Sequence, residues 1–124
     1  MRALERAGWE VLEANVRIGH DEGDLVCLDE RSEPVLVEVK SSLGGPLAPE
    51  LRVGPIKQAS LRRLALSLPA DPRFRAVLGG RVPRIDVVAI RLAPAGRRED
   101  RVLFHARGAV EDGPRRIRPR GVLR

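Results

Sequence analysis

The chain has 124 residues, a net charge of +6 and a pI near 11.1, which suits one compact domain with a polyanionic partner. Its one cysteine, Cys27, excludes an internal disulfide and a zinc site built from cysteines. No apolar run is long enough to span a membrane and the charged N-terminus does not look like a signal peptide, so we expect a cytoplasmic protein without a membrane partner.

The predicted elements, taken in chain order, give an α/β fold with helices on a mixed central sheet. A helix ends near Ala7, because Gly8 occupies the usual stop position. The predicted ranges are a helix at 1–7, strands at 9–17, 23–28 and 34–40, a helix at 55–68, and strands at 85–92 and 101–107. Residues 1–112 are expected to form one domain, followed by a basic tail at 113–124.

The helix predicted at 55–68 begins with Pro55 in its first turn and is ended by Pro69. Leu61, Leu64 and Leu68 share one face and should be buried. The tail holds five arginines and no acid, so it is either a solvated segment or a source of nonspecific phosphate contacts.

The hairpin of the strands at 23–28 and 34–40 carries charged residues among apolar ones. Taking Leu28 and Pro34 as the last pair across a five-residue turn places Asp24 opposite Glu38, with Cβ atoms about 4.5–5.5 Å apart. Lys40 lies two residues beyond Glu38 and points the same way, roughly 7 Å along the strand. This geometry assumes a hairpin without a bulge or a slipped register.

Two facing carboxylates repel one another unless a cation lies between them. Mg²⁺ (or Mn²⁺) is held by one or two carboxylates plus water and phosphate oxygens, and a nearby lysine can activate water and offset phosphate charge. The pattern therefore indicates a metal site at Asp24 and Glu38, with Lys40 as a catalytic lysine for cleaving a phosphodiester. The alternative is a salt-bridged Glu38–Lys40 pair on a solvated sheet face, with Asp24 as a strand-start residue.

The basic residues are 21 arginines and two lysines, Lys40 and Lys57. We expect these lysines where a compact ammonium is needed, and chance survival in an arginine-rich chain is the alternative. Lys57, Arg62 and Arg63 on the helix, together with Arg84, are candidates for binding nucleic-acid phosphates. For the arginines, a solvated surface is the alternative interpretation.

The two histidines, His20 and His105, have no ligand-like spacing and are predicted to be packing or surface residues. His20 lies close to the acidic motif, so it is the nearer of the two to a substrate.

Together these residues resemble the YraN-like family (UPF0102) of small bacterial proteins. The matching positions are Gly8, Asn15, Glu22, Asp24, Leu25, Val37, Glu38, Val39, Lys40, Lys57, the segment from Arg84 to Ile90, His105 and Ala109. The resemblance implies a restriction-endonuclease-like fold of the PD-(D/E)xK nucleases with an αβββαβ core. It also implies Asp24 and Glu38 as metal ligands, Lys40 as the catalytic lysine and Glu22 as an accessory acid. We interpret Asp86 as a structural anchor at a strand start.

Three features depart from the family pattern. Asp21 stands where a glycine is usual, and Gly23 replaces an aliphatic residue between the two acids of the motif. Members also usually carry a glutamate on a longer first helix, which in related nucleases helps to complete the metal site. That position would precede Met1, and neither Glu5 nor Glu10 matches it, so we expect this acid to be absent.

The resulting prediction is a metal-dependent DNA endonuclease-like protein that acts on branched or structured DNA, by analogy with the Holliday-junction resolvases of the same fold. A homodimer would let two sites cut two strands. One alternative is a nucleic-acid-binding module that has lost cleavage together with the helix acid. The other is a non-nuclease scaffold whose basic tail contacts RNA or another protein.

Overall fold

A computed structural model describes residues 2–42, 53–91 and 101–110 of the chain. In chain order its elements are α1 (Arg2–Arg6), β1 (Glu10–Ile18), β2 (Asp21–Leu28), β3 (Pro34–Ser42), α2 (Pro55–Ser67), a 3₁₀ turn (Leu68–Ala70), α3 (Arg75–Leu78), β4 (Arg84–Arg91) and β5 (Arg101–Val110). The predicted order of one helix, three strands, a second helix and two strands is confirmed, although α3 was not among the predicted elements.

The five strands form one sheet in the order β1-β2-β3-β4-β5. The β3–β4 pair is parallel and the other pairs are antiparallel, so the sheet is mixed, as predicted. A parallel pair needs a crossover connection, and α2 and α3 lie within that connection. This is the αβββαβ order that the sequence led us to expect, and β5 follows it as an edge strand.

Each face of the sheet covers a separate hydrophobic cluster. The larger cluster lies under α2 and includes Val26 and Leu36 of the hairpin together with Leu61 and Leu64 of the helix. The smaller cluster lies on the opposite face and includes Leu4 of α1. The sheet therefore separates two environments, and a side chain's face decides which neighbours it can reach.

The first residue and the buried face of α2 follow from its sequence. Pro55 stands at the first helical position, and Leu61, Leu64 and Ala65 are buried, which confirms the predicted apolar face. Leu68 is also buried but belongs to the 3₁₀ turn, so α2 ends slightly before the predicted boundary.

The unpredicted α3 has four residues, too few for a helical period to be visible in the sequence. Phe74, immediately before it, and Leu78 at its end are buried in the cluster under α2. Gly79 ends the helix in the left-handed region, with φ of 58°.

Parts of the prediction fall outside the described residues. They include most of the loop between β3 and α2 and the whole basic tail at 113–124, so the division into a domain of residues 1–112 and a tail stays a prediction. Within the described ranges, no helix is long and apolar enough to cross a membrane.

Candidate active site

The hairpin brings its predicted charged residues to the face of the sheet covered by α2. Leu28 pairs with Pro34 and Val26 with Leu36, which confirms the predicted register for these positions. The ladder stops at Leu25 and Val37, one residue before the predicted Asp24–Glu38 pair. Strand pairing therefore ends where the acidic residues begin.

Beyond the end of the ladder, the Asp24 side chain forms a hydrogen bond with the neighbouring strand. Its Oδ2 accepts a hydrogen bond of 2.7 Å from the backbone N–H of Val39, which lies beyond the last pair of the ladder. The paired part of the hairpin contains no bulge, as assumed, but the predicted Asp24–Glu38 pair is not part of the ladder. The two acids nevertheless interact, since the pKa of Glu38 is raised first by burial and then by the charge of Asp24.

Strand alternation also changes at this position. Gly23 pairs with Val16 of the cluster under α2, although strict alternation from Val26 would place Gly23 on the opposite face. A Cβ at Gly23 would lie 2.6 Å from Leu36 Cδ1 and 2.9 Å from Leu64 Cδ2. A side chain at position 23 would therefore force these two buried leucines to move.

β1 contributes to the same irregularity. Asn15 lies between Ala14 and Val16, whose partners on β2 are Leu25 and Gly23, so Asn15 stands opposite Asp24. Its φ of 54° is in the left-handed region, which asparagine tolerates better than most residues. The strained residue and the catalytic candidate thus lie side by side on neighbouring strands.

Glu38 is the most unusual residue of the site. It is only 6% exposed, and its Oε1 is buried without a hydrogen-bond partner among the described residues. Burial raises the pKa of Glu38, and the charge of Asp24 raises it further, while Lys57 and Lys40 oppose both effects only in part. A buried carboxylate oxygen of this kind is costly unless something cationic contacts it.

Both lysines of the chain approach this carboxylate. Lys40 Nζ lies 3.7 Å from Glu38 Oε2, and Lys57 Nζ lies 4.0 Å from Glu38 Oε1. Lys57 also donates a hydrogen bond of 2.9 Å to the carbonyl oxygen of Glu22. The structure thus brings together Asp24, Glu38 and Lys40, as predicted from the hairpin, and adds Lys57 from α2.

A second group of contacts fixes α2 over the hairpin. Ser60 Oγ donates to Asp21 Oδ1 at 2.8 Å, and Arg63 donates to both oxygens of Asp21 at 2.9–3.3 Å. Hydrogen bonding from Arg63 lowers the pKa of Asp21 despite the opposing effect of burial. Asp21, which stands where the resemblance led us to expect a glycine, therefore holds the helix that carries Lys57.

The other predicted residues are dispersed. The Glu22 carboxylate pairs with Arg17 at 3.1 Å on the surface, and His20 is exposed. Arg62 has no hydrogen bond or ion pair with the described residues, whereas Arg63 is held by Asp21. The roles of Glu22 as an accessory acid and of Arg62 and Arg63 in phosphate binding stay predictions.

Arg84 lies on the opposite face of the sheet from Glu38. It pairs with Val35, and Asp86 with Val37, both of which face the smaller cluster. Arg84 donates to Asp29 Oδ2 at 2.7 Å and to Asp86 at 3.0 and 3.2 Å. Its predicted phosphate contacts could not form on one surface with those of α2, because the sheet lies between them.

Asp86 is fully buried and has partners on both oxygens. Its Oδ1 accepts the backbone N–H of Gly108 at 2.8 Å, and its Oδ2 lies 2.9 Å from His105 Nε2. The His105 ring packs on Trp9, with ring centroids 5.2 Å apart. This arrangement is that of a structural anchor, the role interpreted for Asp86, and it gives His105 a packing role.

The residues of the site fit one divalent cation only in part. Asp24 and Glu38 offer carboxylate oxygens, and the unpartnered Glu38 Oε1 is the kind of atom that a hard cation would satisfy. Within residues 2–42, 53–91 and 101–110, no group of three or more His, Cys, Asp or Glu residues could hold a metal ion. Water and substrate oxygens would have to complete the coordination, as is common for Mg²⁺.

Comparison with known proteins identifies the family. The model of the uncharacterised protein family UPF0102 matches residues 1–90, which include every residue of the site. The chain belongs to the UPF0102 family. A UPF0102 protein of Syntrophus aciditrophicus (strain SB) is 38% identical over 96 residues, which cover 77% of this chain and 72% of that relative.

Among solved structures, that of Pyrococcus furiosus SfsA in complex with Ca²⁺ is similar to this chain. It matches this UPF0102 chain with a TM-score of 0.37 and 14% sequence identity, over 82% of this chain and 56% of the SfsA chain. This chain thus spans just over half the length of that structure, and the likeness is too weak to support an inference.

Proposed function

We propose that this protein is a metal-dependent endonuclease that hydrolyses phosphodiester bonds in DNA. Asp24 and Glu38 would hold one Mg²⁺ or Mn²⁺, and Lys40 would be the catalytic lysine. One observation supports the proposal above the others: Glu38 places a buried oxygen without a hydrogen bond beside a second carboxylate. A solvated salt bridge, the alternative interpretation of Glu38 and Lys40, would not require a buried acid with a raised pKa.

The cation, when bound, would supply positive charge against the phosphate and favour ionisation of a water molecule. The chain's own residues have separate tasks. Asp24, tied to the Val39 N–H, keeps its carboxylate oriented beside Glu38. Lys40 has a partly exposed side chain and can offset the negative charge that develops on the scissile phosphate.

DNA binding is proposed from charge and position. The net charge of +6 favours a polyanion, and Lys57 and Arg62 lie on α2, the helix above the site. A branched or structured DNA, cut by the two sites of a homodimer, is the substrate we propose. A cytoplasmic location stays a prediction.

The proposal is tested with purified protein on supercoiled, linear and four-way DNA, with Mg²⁺ or Mn²⁺ and with EDTA. We expect metal-dependent nicking that Glu38→Gln, Asp24→Asn and Lys40→Met each reduce by roughly a hundredfold or more. Glu33→Gln is the matched control, since Glu33 is an exposed acid at the other end of the same hairpin. Equal nicking by the wild type and Glu38→Gln, or none on any substrate, would overturn the enzyme proposal.

A second candidate is a nucleic-acid-binding module that does not cut. It is favoured by the lack of a third ligand group for a metal in the described ranges. Salt-sensitive binding of DNA without metal-dependent cutting would support this candidate.

A further inference from the structure

Lys57 occupies an unusual position for a residue expected to bind phosphate. Its ammonium is held between two oxygens, the Glu22 carbonyl at 2.9 Å and Glu38 Oε1 at 4.0 Å. The second of these is the buried atom that has no hydrogen-bond partner. Lys57 thus approaches that atom, although it is too distant to hydrogen-bond with it.

The two lysines differ in how they reach Glu38. Lys40 comes from the same strand and faces the other oxygen, Oε2, at 3.7 Å. Lys57 comes from α2, which Ser60 and Arg63 fasten to Asp21. The position of Lys57 is therefore set by the packing of two elements, whereas that of Lys40 follows from local strand geometry.

We propose that Lys57 is a built-in cation that a divalent ion displaces from Glu38. The ion would take the place of the ammonium at Oε1, and the released ammonium would then contact a phosphate of the nucleic acid. This inference rests on the proposed function, because it requires a divalent ion at Asp24 and Glu38.

The physical reason is competition between positive charges. An ammonium and a divalent ion near the same oxygen repel one another, so each weakens the other's hold on Glu38. The long lysine stem lets the ammonium move without unfolding α2, since about a third of the side chain is exposed. By linkage, a phosphate that holds the released ammonium would tighten binding of the ion by the same factor that the ion tightens binding of phosphate.

The displacement can be observed directly, because the chain has only two lysines. Protein labelled with ¹³C-lysine gives two side-chain signals by NMR, and Lys57→Arg identifies which signal is lost. We expect Mg²⁺ alone to move the Lys57 signal towards its position in Glu38→Gln, and to leave it unmoved in that variant. The backbone amide of Val39, which donates to Asp24, reports independently whether the ion is bound.

The outcomes separate this inference from the proposed function. If Mg²⁺ shifts the Val39 amide while the Lys57 signal stays in place, the ion binds without displacing Lys57 and only this inference fails. If neither signal moves at any Mg²⁺ concentration, both the metal site and this inference fail.

Affinity supplies a second measurement that does not depend on cleavage. We expect Lys57→Met to bind Mg²⁺ roughly tenfold more tightly than the wild type in calorimetric titrations, because a competing charge is removed. Lys40→Met is the matched control and should show a smaller change, since Lys40 faces the other oxygen. Equal tightening in both variants would indicate a general charge effect and would overturn the displacement. Thermal melting of each variant confirms that it is folded.

Discussion

Two buried carboxylates on opposite faces of the same sheet differ in their hydrogen-bond partners. Asp86 is fully buried, and its oxygens contact Arg84, His105 and the N–H of Gly108. Glu38 is almost as buried, yet its Oε1 has no hydrogen-bond partner in the described part of the chain. The two residues lie on neighbouring strands and differ mainly in what surrounds them.

The difference separates an anchor from a site. A buried carboxylate with its partners in place holds strands together, because its charge is compensated inside the fold. One that lacks a partner costs stability and persists where a ligand compensates it. We infer that the Asp86 cluster stabilises the fold. The Glu38 site, in contrast, lowers the stability of the fold and serves function.

The largest expected effect concerns the anchor. Asp86→Asn should lower the free energy of unfolding by about 3 kcal/mol, because it removes the fully buried charge that Arg84 contacts and leaves Arg84 with Asp29 as its charged partner. Urea unfolding at neutral pH measures the change. Asp71→Asn is a control on an exposed ion pair with Arg73, and a loss below about 1 kcal/mol is expected there. Similar losses in the two variants would remove the distinction between anchor and surface.

An effect of opposite sign is expected on the other face. Glu38→Gln should raise the free energy of unfolding by about 1 kcal/mol, because the ionised carboxylate is unfavourable where its pKa is raised by burial and by Asp24. The same urea measurement without divalent ions checks this. A loss of stability in Glu38→Gln would show that the ion pairs with Lys40 and Lys57 already compensate the charge, and the comparison with Asp86 would then fail.

Much of this arrangement could be predicted from the sequence, but the contacts between distant residues could not. The alternation of apolar residues and the five-residue turn were enough to predict the hairpin register up to Val37. They could not predict the contact beyond Val37, where the Asp24 side chain accepts a hydrogen bond from the Val39 N–H on the other strand.

Contacts between segments that are distant in the sequence could not be predicted either. Lys57 meets the carbonyl of a residue 35 positions earlier, and only the rarity of lysine in the chain suggested a special position for it. The face of the sheet on which the Arg84 side chain lies depends on the parallel register of β3 and β4. That register is set by the crossover connection and not by any local sequence pattern.

The smallest expected effect is a pH dependence of the anchor cluster. Asp29 is buried, which by itself raises the pKa of its carboxyl, but hydrogen bonds from the N–H of Glu33, from Arg84 and from the N–H of Arg31 outweigh burial and lower it. Since the folded pKa is below the unfolded value of about 3.9, Asp29 stabilises the fold above that pH and loses its contribution as the pH falls through the folded value. The difference in urea stability between the wild type and Asp29→Asn should therefore be constant near neutral pH and shrink below about pH 4. A difference that stays unchanged down to pH 2 would mean that Asp29 acts through the shape of its turn, in which case charge compensation would rest on Asp86 alone.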